Sequence, residues 1–336
     1  MPTNRQFLLA ELPSERLAAE HFKLVDGPMP SAGAGEVLLR TRYISLDAAN
    51  RAWMLGRTYR SQLQAGEVMA GGALAEVVES RDPAFKPGDL VSADTGWQDY
   101  AALPATRLTK LGRAEPISHL LGVYGVVGLT AYFGLLKCGE PKPGETVAVS
   151  AAAGGVGSLV GQIAKIKGCR TVGIAGGEAK CAVLTTRLGY DAVVDHRAAA
   201  GPGELYRALR AAAPEGIDVY FDNVGGQVLE ACLFAMREHG RIACCGAASQ
   251  YDGPAAAYAP RGVPGLIVTK RLVLRGFVVM DFADENERAL ADLRSWVESG
   301  ELKVYEDVID GFEQLPAALI GLLAGENVGK RMVRVV

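Results

Sequence analysis

The chain has 336 residues, 49% of them apolar, with 41 glycines and a formal net charge of -3. That length allows two domains of ordinary size, and the composition suits a packed α/β protein rather than a disordered or fibrous one. A weakly acidic chain with no basic run or stripe argues against nucleic-acid binding. All six cysteines lie beyond residue 137, with no CxxC spacing. Neither a disulfide framework nor a zinc ribbon is indicated, and free thiols without a signal peptide point to the cytoplasm.

From Glu36 to about Arg107 the texture is that of strands and turns. EVLLRTRYISL alternates, ALAEVVES is rich in β-formers, and FKPGDLVSA carries a Pro-Gly turn. Helical periodicity is poor here, so a mostly β domain is expected. Leu120 to Leu136, LLGVYGVVGLTAYFGLL, carries no charge, but a membrane span needs about 20 apolar residues. Its internal glycines and the lack of a second such segment favour a buried helix with its lead-in, and no membrane association. Next comes PKPGETVAVSAAAGGVGSLVGQIAKIKGCRTVGIAG, which reads as turn, strand, glycine loop, helix and strand. LTTRLGYDAVVDHR, ELYRALRAAAPEGIDVYFDNVGG and EACLFAMREHGRIACCGAAS repeat the alternation, which argues for a parallel sheet with helices on both faces. RLVLRGFVV from Arg271 reads as a further strand. ENERALADLRSWVESGEL reads as an amphipathic helix ending at Gly300, and VGKRMVRVV as a final strand that returns to the first domain.

The loop after TVAVS sets Ala152, Gly154 and Gly157 at G-x-G-x-x-G spacing, with alanine first. Small residues permit a tight turn and close backbone approach, and the helix that follows offers its positive end to a pyrophosphate. Glycines also mark ordinary turns, but this motif follows a strand, opens a helix and begins a run of βα units. At the end of the next strand, where an acid usually holds a ribose, Gly176 and Gly177 stand instead, with Lys180 close behind. Two unit charges 4 Å apart interact by about 4 kcal/mol at an effective dielectric near 20. Removing the acid therefore makes room for a 2′-phosphate.

AAAGGVGSLVGQIAKIKGC, AGGEAKC, FDNVGG, CGAAS and GENVGK together resemble the zinc-independent medium-chain dehydrogenase/reductases. The nearest branch is that of prostaglandin, alkenal double-bond and curcumin reductases. LLRTRYISLD, GWQDY and GFEQLPAALIGLLAG extend the likeness from about Pro13 to the C-terminus. The resemblance implies an α/β protein in which a Rossmann doubly wound parallel-sheet domain (121–307) is inserted in a GroES-like, mostly β catalytic domain (1–120 and 308–336). It also implies NADPH as cofactor, reduction of the C=C bond of α,β-unsaturated aldehydes and ketones, no metal, and a homodimer, for which RLVLRGF is a plausible edge strand.

Carried over residue by residue, the resemblance puts Gly154, Gly155, Val156 and Gly157 at the pyrophosphate. Gly177 and Lys180 fall at the 2′-phosphate and His196 near it. Asn223, the turn Cys245, Gly246, Ala247, Ser249 and Tyr251, and Asn327 line the cofactor groove. The backbone of Phe277, Val278 and Val279 meets the nicotinamide carboxamide. Blander roles also fit: His196 as a surface histidine, Asn223 as a turn former, Asn327 as a loop residue and Phe277 as core.

Reducing a polarised C=C needs hydride at the β-carbon, a donor to the enolate oxygen and a proton for the α-carbon. Tyr59 and Tyr251 match tyrosines of the branch and are the candidate donors, although a loop aromatic and a groove wall describe them equally well. Trp53, Asn50 and Thr269 are looser pocket candidates. Two departures leave the substrate open, because Ala49 and Thr269 stand where relatives carry tyrosines. GEVMAGG replaces the Gly-His-Glu element of the zinc enzymes, and His21 and His119 show no ligand pattern. Quinone reduction and a non-catalytic NADPH-binding sensor are the competing functions.

Overall fold

The computed structural model describes residues 3–253 and 260–335. The strands and helices run β1 (Thr3–Leu9), β2 (Phe22–Pro28), β3 (Glu36–Ser45), α1 (Ala49–Leu55), β4 (Ala73–Ser80), β5 (Leu90–Ala93), β6 (Tyr100–Pro104), β7 (Thr109–Lys110), α2 (Val126–Phe133). Then come β8 (Thr146–Ser150), α3 (Gly155–Ile166), β9 (Arg170–Ala175), α4 (Glu178–Thr186), β10 (Ala192–Asp195), α5 (Pro202–Ala212), β11 (Ile217–Asp222), α6 (Gly226–Ala235), β12 (Met236–Cys244). The last are α7 (Val263–Lys270), β13 (Val273–Gly276), α8 (Asn286–Glu298), β14 (Glu306–Asp310), α9 (Leu315–Leu323) and β15 (Lys330–Arg334).

These elements divide into two compact units: Met1–Leu121 with Glu306–Glu326 and Arg331–Val336, and Gly122–Tyr305 with Asn327–Lys330. In the first, alternating apolar residues build a sheet in the order β14-β15-β3-β4-β5-β7, antiparallel from β15 to β7, with β6 also paired antiparallel to β3, beside the hairpin β1-β2. Its mostly aliphatic core holds a cluster of aromatic rings. Trp97 is fully buried and stacks on Phe22 at 5.2 Å, and Phe7 stacks on Phe312 at 5.3 Å.

The second unit holds a six-stranded sheet in the order β10-β9-β8-β11-β12-β13, with every recorded pairing parallel. Every residue of β8 is buried, as expected for a strand covered on both faces. Chain order reverses between β8 and β11. In an open α/β sheet ligands bind in the crevice at such a point, beyond the carboxyl ends of the strands.

Three local features differ from what the pattern suggests. Helix α1 lies inside a stretch with strand texture. It has too few residues to show a period, and contacts from outside the helix hold it: Asn50 Nδ2 donates to the Ala70 carbonyl at 3.1 Å and Arg51 donates to that of Glu15 at 2.7 Å. The late strand is shorter than RLVLRGFVV, because Arg271 takes a left-handed φ of 52° to end α7 and pairing spans Val273–Gly276. The apolar segment at 120–136 forms α2, continued by a π-helical stretch at Gly134–Gly139. Among the described residues no helix is long and apolar enough to cross a membrane.

Candidate functional site

The glycine loop joins β8 to α3 through a backbone that larger residues do not fit. A Cβ on Gly157 would lie 2.3 Å from the Ala151 carbonyl oxygen and 2.8 Å from Ala152 Cα. The left-handed turn is taken by Ala151, at φ 46°, one place before the motif's first position. Ala152 therefore needs no glycine, which explains the alanine there. Gly154 is the N-cap of α3 and no side chain caps the helix. The amides of Gly155, Val156 and Gly157 thus open the first turn of a helix suited to an anion. Behind them, Tyr190 Oη donates to the Gly157 carbonyl at 2.8 Å, and its ring fills the space left by Gly161 and Gly173.

One strand over, β9 ends at Gly176 and Gly177, and Gly177 starts α4 with a φ of 92°. A Cβ on Gly176 would lie 2.8 Å from Arg197 Nε and 2.9 Å from His196 Nε2. Lys180 sits in the first turn of α4, and its charge reaches His196. The imidazole is held below its ordinary pKa, first by loss of solvation where its nitrogen faces Gly176, then by the charge of Arg197; Asp195 opposes the shift. The residue's own surface is exposed. Arg197 is the member of this basic cluster that sequence reasoning missed, although it directly follows His196. An acid does reach the loop, from β10. Asp195 Oδ1 accepts from the amides of Gly177 and Arg197, each at 2.9 Å, which lowers its pKa and fixes both turns. Glu178 is exposed.

Beyond β11, buried Asp222 organises the next turn. Its Oδ1 accepts from Tyr220 Oη at 2.7 Å and from the amides of Val224 and Gly225 at 3.0 and 2.9 Å. Asn223 Nδ2 donates to the Ser150 carbonyl at 2.8 Å, so Asn223 does form the turn and its amide is tied to β8. The Cys245 and Gly246 amides donate to the Asp222 carbonyl, and the Ser249 hydroxyl donates to that of Val224 at 2.7 Å. The Ala247 amide donates to Tyr251 Oη at 3.0 Å. Loss of solvation pushes the Cys245 thiol up to about 12 and Cys244 to about 11, so neither is a thiolate at neutral pH. Phe277 follows β13 and packs edge-on to Phe221 at 6.2 Å, over the space left by Gly134, while Val278 and Val279 lead into a 3-10 turn. The Gly329 amide donates to the Ala153 carbonyl at 2.7 Å, and Asn327 Nδ2 donates to the Gly329 carbonyl at 2.9 Å. Residues distant in sequence thus gather at the carboxyl ends of β8, β9, β10, β11, β12 and β13.

Tyr59 belongs to the other unit and is 58% exposed, with its oxygen accepting from Trp53 Nε1 at 3.2 Å. Asn50 is wholly buried and tied to backbone. Thr269 is exposed on α7, its hydroxyl donating to the Gly265 carbonyl at 2.8 Å.

Residues 5–111 match the N-terminal domain of oxidoreductase family, and residues 155–295 match the zinc-binding dehydrogenase family. Mouse prostaglandin reductase 1 is 42% identical over 322 residues, covering 94% of this chain and 94% of that protein. The chain belongs to the medium-chain dehydrogenase/reductases. Within that family it stands in the prostaglandin reductase, alkenal reductase and CurA branch. The NADP(+)-dependent 2-alkenal reductase of Nicotiana tabacum is 39% identical over 309 residues, 90% of this chain and 88% of that one. The crystal structure of CurA in complex with NADPH from Vibrio vulnificus superposes with a TM-score of 0.93 at 39% identity, over 99% of each chain. The second family model's description names zinc. Among the described residues no three His, Cys, Asp or Glu side chains are grouped to hold a metal ion.

Proposed function

We propose that this protein is an NADPH-dependent reductase of the C=C bond in α,β-unsaturated aldehydes and ketones. What carries the cofactor choice is the cluster at Gly176, where two glycines replace an acid and Lys180 and Arg197 supply positive charge beside the His196 imidazole. The full-length likeness to prostaglandin and 2-alkenal reductases supports the reaction class. A dinucleotide fits the residues present. Gly154, Gly155, Val156 and Gly157 would hold the pyrophosphate. Gly177 and Lys180, with His196, would hold the 2′-phosphate. Asn223, Cys245, Gly246, Ala247, Ser249, Tyr251 and Asn327 would line the groove, and the backbone of Phe277, Val278 and Val279 would reach the nicotinamide.

Bound NADPH supplies the hydride. The protein's part is to fix the substrate, exclude water and donate a hydrogen bond to the enolate oxygen as negative charge develops there. Tyr59 and Tyr251 are the proposed donors. Each phenol oxygen already accepts an N–H, so its own proton points elsewhere. A panel of alkenals, aryl enones, quinones and saturated ketones with NADPH tests the reading. Saturated carbonyl product from enones, with saturated ketones untouched and activity surviving chelation, is expected. Mainly allylic alcohol, quinone-only turnover, or binding without oxidation would each overturn it.

We further propose a homodimer. The terminal strand β13 has an open edge, with Val273 54% exposed. Light scattering on the purified protein decides between dimer and monomer.

A further inference from the structure

Tyr59 presents a physical problem that the proposed reaction makes acute. A transition-state hydrogen bond helps only if its donor is already in place, yet this phenol stands on a short loop and is 58% exposed. An exposed aromatic side chain keeps rotamer freedom that must be lost before it can act.

The neighbouring residues supply the restraint. Trp53, on α1, is 9% exposed and belongs to the core of its unit. Its Nε1–H donates to Tyr59 Oη at 3.2 Å, and the two rings stand edge to face, with centroids 6.4 Å apart at 85°. Indole N–H is a donor with no acceptor capacity, so this bond fixes the phenol as acceptor on that side and turns its O–H elsewhere. The guanidinium of Arg60 lies 4.5 Å from the Trp53 ring centroid. A cation over the indole face draws electron density from the ring and strengthens the N–H as a donor. Arg60 is held by Asp94 at 3.0 Å, and Asp94 Oδ1 accepts from the Gly71 amide at 3.2 Å. Loop and helix are also sewn together: the Leu63 amide donates to the Trp53 carbonyl at 3.0 Å, and Gln62 Nε2 to that of Met54 at 3.0 Å. The Arg60–Asp94 pair is partly exposed and adds little stability; its contribution is orientation.

We propose that Asp94, Arg60 and Trp53 form a positioning relay that aims and polarises the Tyr59 hydroxyl as hydrogen-bond donor to the substrate oxygen. This rests on Tyr59 being an enolate donor. Trp53 and Arg60 act through Tyr59 and are positioning residues.

The test is a double-mutant cycle with Trp53→Phe, which keeps an aromatic ring and removes the N–H, and Tyr59→Phe, together with the surface variant Arg60→Met. Each of the first two should lower kcat about three- to tenfold, with the KM for NADPH unchanged. The double variant should be no slower than the worse single one, and Arg60→Met should lose about twofold. Trp53→His, which restores a ring N–H, should recover part of the rate. Independent losses that multiply in the double variant would overturn the relay while leaving Tyr59 catalytic. A Tyr59→Phe enzyme as fast as wild type would overturn the donor role itself. A second readout needs no turnover. The Trp53 indole N–H proton resonance, assigned with Trp53→Phe, should move upfield in Tyr59→Phe. An unmoved resonance would sink the relay whatever the substrate.

Discussion

The proposed cofactor crevice and the proposed Tyr59 donor would meet the same need, holding a hydrogen-bond donor still, by opposite means. In the crevice the donors are backbone amides, and their places are set by what cannot be there: no Cβ at Gly157 and no acid at Gly176. At Tyr59 the proposed donor is a side chain, and its place is set by what is there, an indole, a guanidinium and a carboxylate. Backbone sites of the first kind should fail abruptly when altered, and side-chain sites of the second kind gradually.

The sharpest way to break that comparison is Gly157→Val. The added Cβ meets backbone rather than a flexible side chain, so the loop or the helix must move. NADPH affinity should fall by more than about a hundredfold, with a stability loss of about 1–3 kcal/mol. Titration and thermal melting report these separately, and near-wild-type binding would mean that the loop re-forms around the larger residue.

Lys180→Ala comes next. A hydrogen bond to a charged group is worth about 1.5–3 kcal/mol, so NADPH binding should weaken about ten- to a hundredfold while NADH binding hardly changes. Adding Arg197→Ala should deepen the NADPH loss alone. Equal losses for both cofactors would show that these side chains do not read the phosphate.

Tyr59→Phe and Tyr251→Phe should each cost only several-fold in turnover, and less in cofactor affinity, because one neutral hydrogen bond is worth about 0.5–1.5 kcal/mol. Full turnover in both would leave a water or the cofactor's ribose hydroxyl as the donor.

The smallest effect concerns pH. His196 has a pKa held below its ordinary value in the free protein. A bound phosphate favours the imidazolium, so binding takes up a proton and the histidine's contribution grows as pH falls through its pKa. Protonation of the phosphate itself, near pH 6, works the other way. The difference between wild type and His196→Asn isolates the histidine. That difference should widen by a few-fold toward low pH and vanish at alkaline pH; a flat difference would remove His196 from the phosphate site.

The parallel sheet and the glycine loop were legible in the sequence because they rest on periodicity and on residues with special backbone freedom. The place of Lys180 just beyond such a loop, in the first turn of α4, was legible for the same reason. Arg197 was not, because an arginine after a strand is ordinary until the fold sets it beside Gly176. Helix α1 was hidden by its length, and with it the reason for Trp53. The buried carboxylate of Asp222 lay within a motif singled out for its neighbour Asn223, yet its four hydrogen-bond donors come from Ser150, Tyr220 and two amides of the following turn. Such convergence has no signature in spacing.

The contact between Gly329 and Ala153 bears on how the protein is made. A ribosome completes the whole glycine motif well before it adds residues 327–330, which complete the same compact unit. Gly329 closes that contact at φ 76°, with no room for a Cβ beside the Tyr305 carbonyl. A nascent chain ending at Glu326 would display every residue of the glycine loop and still lack the segment that braces it. Cofactor capture should therefore begin only when synthesis is nearly finished, and ribosome-bound chains stalled before and after residue 330 should differ in it sharply.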